Sequence, residues 1–193
     1  MKIIFFSNNI NKVKEVKDFF KDSKINILYL GDLPKIPEPL ESGKTFKENS
    51  KIKSECGFKK FKMPCFADDS GFCINALNNF PGVKSKRYLK KGLTENQALN
   101  SIIKKSINLS NNNAFFETSI CLSLNNKNIF FNGLIRGKIS KKIRGKFGFG
   151  YDPIFIPKGY DKTFAEMKFS EKNIISHRAI ALNKLKKYLL KLI

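Results

Sequence analysis

The chain has 193 residues, of which 41% are hydrophobic, 37 are lysine or arginine and 16 are acidic, so its net charge is +21. This length predicts a single domain over residues 1–193 with two lobes, and no run approaches the roughly 20 apolar residues of a membrane span. Only four of the basic residues are arginine, whose fork recognises nucleic-acid bases, so the charge does not predict a specific nucleic-acid partner.

The predicted elements alternate between strands and helices. The first strand, 2–6, has too short an apolar run for a signal peptide, so we expect a cytoplasmic protein with no membrane partner. Apolar periodicity then predicts a helix at 12–20, a strand at 25–30, a helix at 45–61, a strand at 65–67 that ends in an acidic turn, and a strand at 72–77. A capping box predicts a helix at 94–108, which is followed by a hairpin of 115–124 and 128–135 and by an amphipathic helix from about Ser176. This succession predicts one α/β unit.

The most informative segment is Phe66–Gly71, in which Asp68 and Asp69 follow a buried apolar run. Two adjacent acids at the end of a strand are costly unless a cation compensates them. The pair indicates either a divalent metal site with a carboxylate that activates water, or a simple turn, since Asp, Ser and Gly favour turns. The four cysteines form no CxxC pair and the chain has one histidine, which argues against a zinc site.

Two further clusters carry groups that bind phosphate or a base. Loop 7–12 places hydroxyl, amide and ammonium groups before the first helix, where backbone N–H groups and the helix dipole favour anions. An ordinary polar loop with a helix cap is the alternative. Residues 149–152 add an aromatic ring and a carboxylate, and Lys172, His177 and Arg178 add donors. A Ser-His-Asp hydrolase is not supported, because no G-x-S-x-G elbow is present.

Six motifs, in sequence order, resemble the inosine triphosphatase family, which comprises pyrophosphatases of non-canonical purine nucleoside triphosphates. The motifs are SNNINK at 7–12, FADDSG at 66–71, PGVKSKRY at 81–88, FGFGYDPIF at 147–155, TFAEM at 163–167 and EKNIISHRAIAL at 171–182. Each motif is a weak signal by itself, but all six in order are specific. The chain departs from the common family pattern at Lys86, Leu89 and Phe147, which bears on substrate preference.

The resemblance implies an elongated two-lobed α/β fold, with a central mixed twisted β-sheet flanked by helices and a substrate cleft between the lobes. It also implies a homodimer. The implied reaction is the Mg²⁺-dependent hydrolysis of ITP, dITP or XTP to the nucleoside monophosphate and pyrophosphate, which removes deaminated purines from the nucleotide pool.

The resemblance further implies which residues form the site. The triphosphate would be held by Lys53 and by the loop residues Ser7, Asn8, Asn9, Ile10, Asn11 and Lys12. Mg²⁺ would be bound by Glu41 and Asp69 with support from Asp68, and Asp69 would be the catalytic proton acceptor. The remaining substrate contacts would be Ser70, Phe149, Gly150, Tyr151, Asp152, Lys172, His177 and Arg178.

Two other functions stay open on the sequence. A Maf-type pyrophosphatase would use the same chemistry on other nucleotides, but the FGYD segment at 149–152 and the SHR segment at 176–178 speak against it. A basic nucleic-acid-binding module would explain the charge and leave the acidic pair unexplained.

Overall fold

The computed structural model describes residues 1–90, 94–107 and 111–192. The strands in these ranges are β1 Lys2–Phe5, β2 Asn26–Tyr29, β3 Cys65–Ile74, β4 Phe80–Pro81, β5 Asn113–Leu124, β6 Lys127–Ile139 and β7 Phe155–Pro157. The α-helices are α1 Ile10–Phe20, α2 Phe46–Phe61, α3 Ser85–Lys90, α4 Glu95–Ile107, α5 Phe169–Ile175 and α6 His177–Leu189. No helix in the described ranges combines the length and apolar character that a membrane crossing requires.

The strands form one mixed sheet in the order β2-β1-β3-β5-β6-β7, and β4 pairs with β3. Strand β1 runs parallel to both of its neighbours, so that Ile4 lies opposite Leu28 of β2 and Cys65 of β3. The β3–β4 and β6–β7 pairs are antiparallel. The predicted α/β fold with a mixed sheet flanked by helices is therefore confirmed.

The chain forms two compact units. Unit 1 consists of Met1–Asp69, Thr118–Gly133 and the residues from Arg178 onward, and unit 2 consists of Ser70–Glu117 and Leu134–His177. The single domain over 1–193 and the cleft between two lobes stay predictions.

The core of unit 1 fixes the strands that carry its polar side chains. Phe5 of β1 stacks on Phe66 of β3 with ring centroids 4.9 Å apart. Val16 and Phe20, four positions apart on α1, pack into the same cluster. Helix α6 adds the buried side chains of Leu182, Leu185 and Leu189. Each such burial contributes about 1.5–3 kcal/mol, so the packing holds β1 and β3 in place next to the polar site.

The core of unit 2 is largely aromatic. The ring centroid of Phe116 on β5 lies 5.1 Å from that of Phe72 on β3 and 4.9 Å from that of Phe155 on β7. Leu99 and Ile102 of α4 pack into the same cluster. This cluster supports the segment that follows the glycine-rich residues 145–150.

The structure corrects one prediction about the acidic pair. Strand β3 runs unbroken from Cys65 to Ile74, so Asp68 and Asp69 lie within a strand and not in a turn. Turn-forming residues do not break the strand here because lysine and arginine side chains compensate both carboxylates, as described below.

Other predicted elements need smaller changes. The hairpin strands are longer than predicted, and Asn125 and Asn126 between them have φ of 48° and 58°, as a two-residue hairpin turn requires. The predicted end of the helix at Asn108 lies outside the described residues. Four short elements, β4, α3, α5 and β7, were not predicted, because they contain too few residues for a periodic pattern.

Candidate active site

Asp68 and Asp69 are buried in unit 1, with 2% and 7% of their surface exposed. Because successive side chains of a strand point to opposite faces, the two carboxylates have different neighbours. Oδ2 of Asp68 lies 2.9 Å from Nζ of Lys12 and accepts a 3.0 Å hydrogen bond from Nε of Arg178. Arg178 also forms a buried ion pair with Glu15 of α1. The charges of this group alternate in sign, which is how a protein can bury them.

Asp69 contacts helix α2 instead. Its Oδ2 accepts a 3.0 Å hydrogen bond from Nδ2 of Asn49, and its Oδ1 lies 3.6 Å from Nζ of Lys53. The same ammonium group donates to the backbone oxygen of Asp68 at 2.6 Å and lies 3.0 Å from Oε1 of Glu41. The two predicted metal ligands, Glu41 and Asp69, therefore flank one cation.

The loop before α1 forms the N-cap of that helix. Oδ1 of Asn9 accepts the N–H groups of Asn11 and Lys12 at 3.0 and 3.2 Å, and the N–H of Asn9 donates to Oγ of Ser7 at 3.2 Å. Asn9 therefore caps helix α1, and the phosphate contacts predicted for loop 7–12 stay predictions. Lys12 reaches from this loop to the acidic pair, while the side chains of Asn8, Ile10 and Asn11 are exposed.

Unit 2 brings together Phe149, Asp152 and Lys172. Nζ of Lys172 donates to Oδ2 of Asp152 at 2.6 Å, and both residues are buried. The same oxygen accepts the N–H of Phe149 at 2.8 Å, and the ammonium lies 4.6 Å from the centroid of the Phe149 ring. Gly148 has φ of +74°, and a Cβ there would lie 2.1 Å from Oδ2 of Asp152. Only glycine lets the backbone approach this carboxylate so closely.

Two other predicted nucleoside contacts are core residues of unit 2. Tyr151 is 3% exposed; its ring stacks on Phe72 at 4.9 Å and its hydroxyl donates to the backbone oxygen of Ser85 at 3.0 Å. The His177 ring stacks on Phe116 with centroids 4.8 Å apart and an interplanar angle of 10°. Contacts of Tyr151 and His177 with a nucleoside stay predictions.

The structure distributes the predicted site residues over the two units. Unit 1 contains residues 7–12, Glu41, Lys53, Asp68, Asp69 and Arg178. Unit 2 contains Ser70, residues 149–152, Lys172 and His177. Each unit thus has its own polar cluster, which we call the acidic cluster (Lys12, Glu15, Glu41, Asn49, Lys53, Asp68, Asp69 and Arg178) and the Asp152 cluster (Phe149, Asp152 and Lys172).

Comparison with known proteins decides the family. A model described as the Ham1 family matches residues 3–188. The chain belongs to the Ham1 family. The resemblance drawn from the six motifs is therefore confirmed.

Individual relatives of this Ham1-family chain agree with that assignment. It is 40% identical to the dITP/XTP pyrophosphatase of Flavobacterium psychrophilum, covering 94% of this chain and 95% of the relative. It is also 40% identical to the dITP/XTP pyrophosphatase of Oceanobacillus iheyensis, covering 97% and 98%. Its fold matches the solved structure of a HAM1 protein from Coxiella burnetii with a TM-score of 0.90, at 35% identity and over 99% of both chains.

Burial and neighbouring charges alter the titration of the acidic cluster. Burial raises the pKa of Asp69 because desolvation disfavours the carboxylate, and Lys53 and Lys12 act in the opposite direction. Burial lowers the pKa of Lys12 despite the attraction of Asp68. Burial also disfavours the charged form of Lys53, but Asp69, Asp68 and Glu41 together raise the pKa of this lysine. A carboxyl group with a raised pKa is suited to accept a proton near neutral pH.

The same cluster fits a magnesium ion. Carboxylate oxygens are the ligands that Mg²⁺ prefers, and Glu41 and Asp69 already face one cation, the Lys53 ammonium, at 3.0 and 3.6 Å. Among the described residues, no group of three or more His, Cys, Asp and Glu side chains could hold a metal ion. Mg²⁺ is usually held by one or two carboxylates together with water and substrate phosphates, so a pair of carboxylates suffices.

Two residues of the acidic cluster were missed on the sequence. Glu15 lies three residues after Lys12 on α1, and Asn49 lies four residues before Lys53 on α2. Spacings of three and four place side chains on the same helix face. A search for polar residues at these spacings from the two lysines would have found both.

Proposed function

We propose that this protein hydrolyses non-canonical purine nucleoside triphosphates, of the dITP and XTP type, to the nucleoside monophosphate and pyrophosphate. The observation that carries the proposal is the environment of Asp69, a buried carboxylate that is held by Asn49 and lies 3.6 Å from the ammonium group of Lys53. Relatives at 40% identity over nearly the whole chain are named dITP/XTP pyrophosphatases, which supports the same substrate class.

In this proposal Asp69 orients the attacking water and accepts its proton. The hydrogen bond from Asn49 fixes Oδ2 of Asp69. The other oxygen, Oδ1, would therefore be the one that faces the water. Its raised pKa favours proton transfer at neutral pH. Attack on the α-phosphorus releases pyrophosphate directly, so no covalent intermediate on the protein is required.

The lysines of the acidic cluster would stabilise the charge of the triphosphate. Lys12 is fixed by Asp68, and Asp68 is fixed in turn by Arg178, so the ammonium of Lys12 is preorganised. Glu41 and Asp69 would hold Mg²⁺, which would supply further neutralisation of the phosphate charge. Lys53, whose ammonium contacts both carboxylates, would contact a phosphate oxygen.

The Asp152 cluster would bind the base. A 6-oxo purine presents a hydrogen-bond acceptor at the position where adenine presents an amino donor, and Lys172 is a buried donor. Asp152 holds that donor in place, and the half-buried ring of Phe149 offers a surface for stacking. We further propose a cytoplasmic homodimer that acts on the free nucleotide pool.

A substrate panel tests the proposal. Pyrophosphate release would be measured from dITP, XTP, ATP, GTP and a pyrimidine triphosphate, each with Mg²⁺ and with a chelator. We expect release from dITP and XTP only, and only with Mg²⁺. Release restricted to the pyrimidine nucleotide would favour the Maf-type alternative. No release from any nucleotide, combined with tight binding to generic duplex DNA, would favour the nucleic-acid-binding alternative.

A further inference from the structure

A cavity of about 560 Å³ lies in unit 2, among β5, β6, β7 and the turn that follows β7. Successive side chains of a strand point to opposite faces of the sheet, and this places the cavity and the aromatic core of unit 2 on different faces. Phe116 packs into the core against His177, whereas its neighbour Phe115 lines the cavity. In the same way Ile135 and Ile139 of β6 pack against the core, and Arg136 and Lys138 line the cavity. The cavity is therefore on the opposite face of the sheet from His177.

The lining of this cavity carries uncompensated positive charge. It includes Arg136, Lys138 and Lys158 and no aspartate or glutamate. Within the part of the chain that the structure describes, none of these three side chains forms an ion pair or hydrogen bond. Positive groups around one concavity focus their field into it and attract anions.

Two of these cations, Arg136 and Lys158, occupy opposed positions on neighbouring chain segments of the sheet. The N–H of Lys158 donates to the backbone oxygen of Arg136 at 2.9 Å, next to the register pair Gly137 and Pro157. Like charges at opposed positions of a sheet destabilise it. An anion bound between them would convert this repulsion into attraction, and the arginine fork suits a phosphate.

The remaining walls suit a planar ring. Phe115 and Tyr160 are aromatic, Leu134 and Ile156 are apolar, and Asn75 and Asn113 supply amides that can donate and accept hydrogen bonds. Tyr160 is carried by a turn in which its N–H donates to the oxygen of Pro157. A volume of this size is typical of sites for small ligands, which span about 300–1,000 Å³.

We propose that this cavity is a second ligand-binding site, for an anion that carries a phosphate group on a planar ring, as a mononucleotide does. The phosphate contacts Arg136 and Lys158, and the ring lies against Phe115 and Tyr160. The site is independent of the proposed hydrolysis.

A tryptophan reporter tests this proposal locally. The chain contains no tryptophan, and Tyr160 is 45% exposed, so Tyr160→Trp places a single fluorophore at the cavity in the full chain. We expect its emission to change saturably with AMP, and the apparent Kd to rise at least about tenfold when Arg136→Ser and Lys158→Ser are added, as loss of a charge-assisted hydrogen bond predicts. The matched control, Lys104→Ser with Lys162→Ser, removes the same charge from exposed positions outside the cavity and is expected to leave the Kd unchanged.

Inorganic phosphate and adenosine separate the two halves of the ligand. We expect each to bind more weakly than AMP. The absence of a saturable signal with AMP, or an equal loss of affinity in the control pair, would overturn the proposal. Phosphate that binds as tightly as AMP would overturn the role of the ring, and circular dichroism of each variant shows that it is folded.

Discussion

Asn49 joins Asp69 to the loop that carries Glu41. Its Nδ2 donates to Oδ2 of Asp69 at 3.0 Å, and its Oδ1 accepts the N–H of Gly43 at 2.8 Å. Asn49 has no exposed surface, so water cannot replace these bonds. One amide therefore orients the carboxylate of Asp69 and also holds the backbone of the loop that carries Glu41.

Replacing this amide should slow the reaction without removing any proposed catalytic group. In Asn49→Ala we expect kcat for dITP to fall at least about tenfold, because the carboxylate of Asp69 loses its fixed orientation. The two lost hydrogen bonds should also lower the free energy of unfolding by about 1–3 kcal/mol. Kinetics at saturating dITP and urea unfolding measure the two effects. Asn132→Ala, at an exposed position, is the control, and an unchanged kcat in Asn49→Ala would contradict the positioning role.

The proposed base can be neutralised with little change in shape. Asp69→Asn should fold normally and lose about 10²- to 10⁴-fold in kcat, the usual contribution of one acid-base group. Thermal unfolding checks the fold, and pyrophosphate release checks the rate. A folded variant with full activity would refute the assignment of Asp69 as the proton acceptor.

A substitution at Gly148 tests the role of the Asp152 cluster without changing any of the side chains in that cluster. A methyl group at this position would lie 2.1 Å from Oδ2 of Asp152, so Gly148→Ala should displace the carboxylate that holds Lys172. We expect KM for dITP to rise at least about fivefold, with a smaller change in kcat, since the cluster is proposed to bind the base.

Gly159 provides the matched control for that substitution. It also has a positive φ, +87°, but nothing lies within 4 Å of a Cβ at this position. Gly159→Ala therefore carries the backbone strain of a positive φ, about 1–2 kcal/mol, without the clash. If both variants raised KM equally, strain alone would explain the effect and the role of Asp152 would be rejected.

The Arg144–Glu166 pair predicts a pH dependence of stability. The hydrogen bonds from Arg144, followed by that from the N–H of Thr163, lower the pKa of Glu166 to about 2. A carboxyl group whose pKa is lowered by folding stabilises the protein above its ordinary pKa of about 4.3. That stabilisation is lost as the pH falls from about 4.3 towards 2.

The isosteric variant Glu166→Gln cannot lose this charge. We expect its Tm to lie below that of the wild type at pH 7, and the difference to shrink as the pH is lowered from 5 to 3. Calorimetry across this range measures the difference. A difference in Tm that does not change with pH would show that the carboxylate charge does not stabilise the fold.

Much of the acidic cluster follows from local sequence patterns. Asp68 and Asp69 were recognisable as a charged pair after an apolar run, and Lys12 as a cation at the start of a helix. The turn predicted for Asp68–Gly71 was wrong, because turn propensity is a local preference and the ion pairs that override it come from distant residues. Arg178 and Asp68 are 110 positions apart, a separation that no local pattern covers.

The sequence by itself determined the family, the alternation of strands and helices, and the chemical groups available in each motif. These follow from residue identity and from periodicities of two and three to four positions, which act over short distances along the chain. Only the tertiary structure decided that Asp68 binds Lys12 and Arg178 while Asp69 binds Asn49 and faces Lys53. The physical reason is that strand alternation sends adjacent side chains to opposite faces, and the packing of α1, α2 and α6 then decides which partner each carboxylate meets.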